Sequence, residues 1–203
     1  MFGQKRSGGS EGTSLRAFAP INRIEAYWQG LRDGTAGGLG LPTRSEIDPR
    51  GIGHDLRHAF VLERIGPDLC RIRVSGSVLS EVMGCEARGL PFSRAFDTAS
   101  QASLAQVVEA VFRGPATARL TLRTARRGLH PGGIGEIRLL PLVDRDGAVS
   151  RLLGAIAFAG RVSPVAQAVT LSGSFGRTLR FDPHAGQMRE TQVPYLRLVA
   201  TEA

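Results

Sequence analysis

The chain has 203 residues, 42% of them hydrophobic and 22% charged, enough for one real core and a small appendage. No apolar run approaches the roughly 18–20 residues of a membrane span, and the N-terminus MFGQKRSGGSEGTS lacks the apolar middle of a secretory signal, so a flexible tail over 1–19 and a cytoplasmic protein are expected. The net charge of +8 is almost all Arg (Lys5 is the only Lys) and is spread along the chain without interleaved aromatics, which argues for a solvated Arg-rich surface and against a nucleic-acid stripe.

Pro20 suits the first position of a helix that Gly34 closes. Ile21, Ile24, Trp28 and Leu31 follow at helical spacing and form one apolar stripe. That stripe needs a partner, either the outer face of a sheet or the same helix in a second copy, and Trp28, the only Trp, is its expected anchor. After the loop Gly37-Gly38-Leu39-Gly40, Asp48 is placed to cap a short helix that begins at Pro49 and turns Ile52 and Leu56 onto the core. Residues 58–64 and 69–75 read as a hairpin around Gly66-Pro67-Asp68. In the second strand Cys70, Ile72 and Val74 share the face expected to be buried. Ser77 is the predicted cap of a helix over 78–83 that Gly84 ends. Thr98-Ala-Ser-Gln101 has the spacing of a capping box for a longer helix reaching Arg113, with Leu104, Val107, Val108, Val111 and Phe112 as its inner stripe.

Residues 116–124 alternate, with Thr117, Arg119, Thr121 and Arg123 on one face and Ala118, Leu120 and Leu122 on the other. A Gly-rich linker over 125–133 carries Arg126, Arg127 and His130. Two further strands, 135–143 and 150–159, flank the hairpin signal Asp144-Arg145-Asp146-Gly147. Five strands, with helices separating the first two from the last three, predict an α+β fold with helices over one face of the sheet. Residues 161–203 show no clear period; they are expected to be a partly ordered extension with a short terminal element near Tyr195-Leu196-Arg197-Leu198-Val199.

Several of these motifs together resemble a known family. Ser75-Gly76, Leu79-x-x-Val82-Met83-Gly84 and Gly89-x-Pro91-Phe92 look like a PAS domain. Tyr27-Trp28-x-x-Leu31-Arg32, Leu41-Pro42-x-Arg44-x-x-Ile47-Asp48-Pro49, Leu139-Leu140-Pro141-Leu142 and Leu152-Leu153-Gly154-Ala155 resemble, more narrowly, the single-domain PAS_5 group of alphaproteobacteria, over about 21–160. The resemblance implies a PAS domain over 20–160: a five-stranded antiparallel sheet with a helical clamp, an inner cavity and a leading amphipathic helix. It implies a sensory or regulatory module working through protein–protein interaction, with an unknown signalling partner and a homodimer through Ile21, Ile24, Trp28 and Leu31.

The cavity implied by the inward parity of the strands is lined by Cys70, Ile72, Val74, Phe92, Phe96, Leu104, Val108 and Leu120, and suits a small apolar ligand. No cofactor is predicted. Cys85, in Gly84-Cys85-Glu86-Ala87-Arg88, departs from the motif of a flavin-adduct cysteine, and both cysteines are expected reduced. His54, His58, His130 and His184 lie off the long helix where a haem ligand would be convenient. Two cysteines do not make a zinc site, so no metal is predicted. The sequence holds no hydrolase elbow, phosphate loop or zinc-protease motif and no catalytic set, and the chain is read as not an enzyme. The alternative is an anion-binding adaptor of cyclic-dinucleotide or nucleic-acid type, using Arg119, Arg123, Arg126 and Arg127.

Overall fold

The alternating segments assemble into one antiparallel sheet that carries helices on both faces. The computed structural model describes residues 16–34, 40–67, 69–114, 116–125, 132–160, 168–182 and 187–192. Its elements are α1 (Ala19–Gly34), α2 (Pro49–Ile52), β1 (Ala59–Gly66), β2 (Leu69–Ser75), α3 (Ser77–Met83), α4 (Thr98–Arg113), β3 (Ala116–Arg123), β4 (Ile134–Val143), β5 (Val149–Ala159), β6 (Thr170–Asp182) and β7 (Gln187–Gln192). Short 3-10 turns occupy Arg44–Glu46, Gly53–His58 and Phe92–Ala95. Strand order is β2-β1-β5-β4-β3-β6-β7, and neighbouring strands run antiparallel.

Two features depart from the sequence expectation. The sheet has seven strands, not five, because β6 and β7 come from the extension that showed no period. Helices also cover both faces. On the inner face α3, the 92–95 turn and α4 bury a cluster that includes Phe60, Leu62, Ile72, Leu79 and Leu139. On the outer face α1 buries a second cluster with Val61, Leu140, Leu142, Leu153 and Ala155. β4 and β5 lie mid-sheet and send successive residues to opposite faces, so they supply both clusters and read as long apolar runs.

Local chemistry explains the joints. Asp48 caps α2, its Oδ1 accepting from the Arg50 amide at 2.9 Å. Leu56, however, is 41% exposed, because the 3-10 turn after Gly53 rotates it away from the core. The cap of α3 is Gly76, not Ser77; a Cβ there would run into the carbonyls of Leu56 and Arg57. α3 stops at Gly84, whose φ of 65° is left-handed. For α4 the cap moves one residue forward to Asp97, which accepts from the Ser100 amide at 2.8 Å. Asp97 also accepts from Thr170 Oγ1 at 2.5 Å, and Val169 bridges to Phe96 and is buried in the inner cluster. The start of β6 is thereby fastened to the clamp before it pairs with β3. The Asp144–Gly147 turn closes as expected, with the Asp144 amide donating to the Ala148 carbonyl at 2.9 Å. Asp68, Pro115, Arg126, Arg127, His130, His184 and 195–199 lie outside the described residues.

Candidate functional site

The expected cavity residues come together with one exception. Cys70, Ile72, Phe92, Phe96, Leu104, Val108 and Leu120 all belong to the inner cluster. Val74 does not; it is 47% exposed. Val61 pairs with Val74 while Leu62 pairs with Ile72, so Arg73 is an extra residue in the ladder. Such a bulge reverses the facing of the strand residues beyond it and turns Val74 to the outer face. Around Phe92 the aromatic rings are in contact: Phe60 stacks at 5.4 Å and Phe96 meets its edge at 5.3 Å. The space left beside Cys70, Phe92, Leu104 and Val108 is about 20 Å³. That is room for about one water. These residues pack as a core, and a larger ligand would have to part the clamp from the sheet.

Burial pushes the Cys70 thiol up to about 12, with Glu109 adding to the rise and Arg64 opposing it, so the thiol stays protonated. Cys85 faces solvent just past Gly84 and has no access to the inner cluster. His54 is exposed, and His58 Nδ1 lies 2.8 Å from the Ile156 carbonyl oxygen. An ion-pair lid that the sequence pattern did not reveal closes one end of the cluster. Arg64 Nη2 donates to both Glu109 oxygens at 2.7 and 2.9 Å, and Arg113 Nε donates to the same carboxylate at 2.6 Å.

The second constellation is the seat of α1. Ile21, Ile24 and Trp28 are buried against this chain's own sheet, Trp28 at 1% exposure, which corrects their assignment as a dimer face. Leu31 is only half-buried at the edge of that cluster; Arg32 takes the buried position instead, its guanidinium 5.6 Å from the centre of the Trp28 ring. Directional bonds hold the helix over this apolar contact. Trp28 Nε1 donates to the Pro141 carbonyl at 3.0 Å. Arg23 donates twice to Asp55 at 2.7 Å, and Arg138 Nε donates to Glu25 at 2.9 Å. The Asp48 amide donates to the Tyr27 hydroxyl at 2.8 Å, and the Tyr27 ring leaves no room for a side chain at Gly51. Residues 41–52 are therefore a strap over α1, anchored by Leu41, Ile47 and Ile52 and by the Val143 amide on the Pro42 carbonyl at 3.1 Å.

Beyond the edge of α1 the outer face is polar. Arg119 and Arg123 share it, as expected from their parity, but the basic group that converges is Arg119, Arg138 and Arg177. Arg119 and Arg138 stand directly opposite each other on β3 and β4. Glu136 bridges them: Arg119 Nε donates to Oε2 at 2.7 Å, and Arg138 Nη1 meets Oε1. Burial pushes the Arg138 guanidinium below its ordinary range; Glu25 opposes that shift, and Arg119 and Arg177 add to it by repulsion. The sequence did carry a signal. Glu136 and Arg138 have the same parity as Leu140 and Leu142, so charges appear in a face that is otherwise apolar.

A sheet whose first five strands run in the order β2-β1-β5-β4-β3, clamped by helices on one face and led by a helix, defines an α+β domain. A PAS_5 family model, described as a PAS domain, matches residues 17–157, and the chain belongs to the PAS domain family. The match spans α1 to β5; β6 and β7 lie beyond it. Members of this family are generally sensory or regulatory, not catalytic. No curated protein matches the chain. No helix among the described residues is long and apolar enough to cross a membrane.

Proposed function

We propose that this PAS domain is a regulatory module whose output is the seating of α1, read by a protein partner, and whose input is the packing state of the inner cluster. One observation carries this reading: β4 and β5 serve both clusters with alternate residues. Ile137, Leu139, Leu152 and Ile156 pack inward, while Leu140, Leu142, Leu153 and Ala155 form the floor under α1. A shift of these two strands that relaxes one face must disturb the other, because close-packed interiors transmit displacement. Any effector that parts the clamp from the sheet, an apolar ligand or a partner, would bias α1 between docked and released states.

Hydrogen–deuterium exchange on the full chain tests the coupling. Val108→Ala loosens the inner cluster from α4, on the far side of the sheet from α1. Exchange of the α1 amides should then rise well beyond that of β4 and β5. If α1 keeps its full protection while α4 and the inner cluster loosen, the two faces are not coupled and the reading fails.

A further inference from the structure

One arginine on the outer face is left without a partner by the geometry around it. Glu63 on β1 stands directly opposite Arg71 on β2 and Arg151 on β5, so the three residues share one row across the sheet. Glu63 has the parity of Val61, which packs under α1, and Arg151 pairs with Leu142 of the same cluster, so the row lies on the outer face. Both Glu63 oxygens are already taken. Arg151 Nη2 donates to Oε1 at 2.8 Å, and Arg73, the bulged residue of β2, donates to Oε2. Arg71 is half-buried, yet its guanidinium has no partner among the described residues. Along β1, β2 and β5 Glu63 is the only acid, and Arg64, the remaining base, points inward to Glu109. Three guanidiniums to one carboxylate leave two positive charges in excess. The same bulge sets Val74 beside them, exposed, and Ile65 of this hairpin is exposed as well.

We propose that this face of β2, β1 and β5 docks a protein partner through an acidic segment that also carries apolar side chains. A carboxylate matches the planar guanidinium fork, and Arg71 can take one without giving up an internal bond. Glu63 holds Arg73 and Arg151, so two of the three long side chains are ordered before the partner arrives. A second copy of this chain does not fit, because a two-fold contact would set the same arginines against each other. Nucleic acid is the poorer fit, since the exposed apolar groups beside the arginines are the aliphatic Val74 and Ile65, not rings on which a base could stack. Val61, opposite Val74, belongs to the floor under α1, so the docked segment borders the α1 seat. The inference rests on the proposed function only in taking the partner to be a protein. Peptide binding and the coupling of the two faces are measured separately, so either can fail alone.

The test uses the full chain at low ionic strength and a labelled peptide of alternating Glu and Val, with binding read by fluorescence anisotropy. The same peptide with Lys in place of Glu, and a single-stranded DNA of equal charge, are run beside it. The acidic peptide should bind saturably and weaken as salt is added, and the Lys peptide should not bind. Arg71→Gln removes a guanidinium with no partner among the described residues, so the variant should fold, as thermal melting will check. Its affinity should fall about tenfold, the size of one charge-assisted hydrogen bond. Val74→Ser, at an exposed position, should weaken binding by a smaller factor. Arg94→Gln, in the turn on the other side of the sheet, removes the same charge elsewhere and should leave the affinity unchanged. Three results overturn the proposal. One is no saturable binding of the acidic peptide at millimolar concentration. Another is an equal loss in Arg94→Gln, which would mean diffuse surface charge. The third is DNA that binds more tightly than the peptide and is lost in Arg71→Gln, which would make this a nucleic-acid face.

Discussion

On its inner face the sheet meets two helices and a 3-10 turn through a contact that is almost wholly apolar, with aromatic rings at its centre and an ion pair only at the rim. On its outer face it meets one helix, over a smaller apolar floor, with named hydrogen bonds and ion pairs fixing the position. Non-directional burial scales with area and selects no particular partner. A helix held by a few directional bonds can be released by substituting partners for those bonds. The inner face therefore sets how stable the domain is, and the outer face sets what it presents.

Phe92→Ala would separate the faces most strongly. Phe92 is enclosed between Phe60 and Phe96, and its truncation should cost about 3–5 kcal/mol in a single cooperative urea transition. A loss under about 1 kcal/mol, the size of an ordinary point substitution, would mean that the inner face is not close-packed.

Trp28→Ala removes a side chain of similar weight from the other face, with an expected loss of about 3 kcal/mol. Here the loss should be local: α1 amides exchange freely while β1, β4 and β5 stay protected. Trp28→Phe keeps most of the buried area and gives up the bond to the Pro141 carbonyl, about 1 kcal/mol. Global unfolding in Trp28→Ala, with no stage at which α1 alone is exposed, would merge the two faces into one cooperative unit.

Acid should have the smallest and most selective effect. The bidentate bond from Arg23 holds the Asp55 carboxyl below its ordinary 3.8, against the opposing pull of burial. For Glu63 burial acts upward, but Arg73 and Arg151 outweigh it and leave the carboxyl below 4.5. For Asp97 burial likewise acts upward, and the bonds from Ser100 and Thr170 outweigh it, leaving it below 3.8. All three release their protons more readily in the folded chain than in the unfolded one. Their stabilisation is therefore complete above about 4.5 and is lost as pH falls through the lowered values, which lie below 4.5 for Glu63 and below 3.8 for Asp55 and Asp97. Exchange measured down this range should rise first in α1, tied by Asp55, and at the start of β6, tied by Asp97. Simultaneous loss across the whole sheet would count against separate attachment.

Most of the fold could be read from residues in isolation, because periodicity and stop signals are local. Gly84, Asp48 and the Asp144–Gly147 turn act within a few residues of themselves, and each performs as its chemistry predicts. What escaped depends on partners distant in the chain. Val74 follows the alternation of its own strand and changes face only because Arg73 is bulged against β1. The segment TLSGSFGRTLRFD has little apolar patterning, and it becomes β6 because β3 offers it an unpaired edge and Asp97 holds its first residue. The stripe on α1 was legible, but not its destination; a helix carries the same pattern whether it meets its own sheet or a second copy. Arg138 looked like one of many surface arginines until its opposition to Arg119 placed it beneath α1.

The two borders of the sheet are not equivalent. Along β2 the main chain is already occupied, with the Ile72 amide donating to the Leu90 carbonyl at 3.0 Å and the Gly89 amide donating to the Ile72 carbonyl at 2.7 Å. Among the described residues β7 is the other border, six residues long. Among the described residues, β2 is thereby the border whose main chain is already engaged at Ile72. A sheet border whose main-chain groups are already bonded offers no template there for edge-to-edge growth of a fibre.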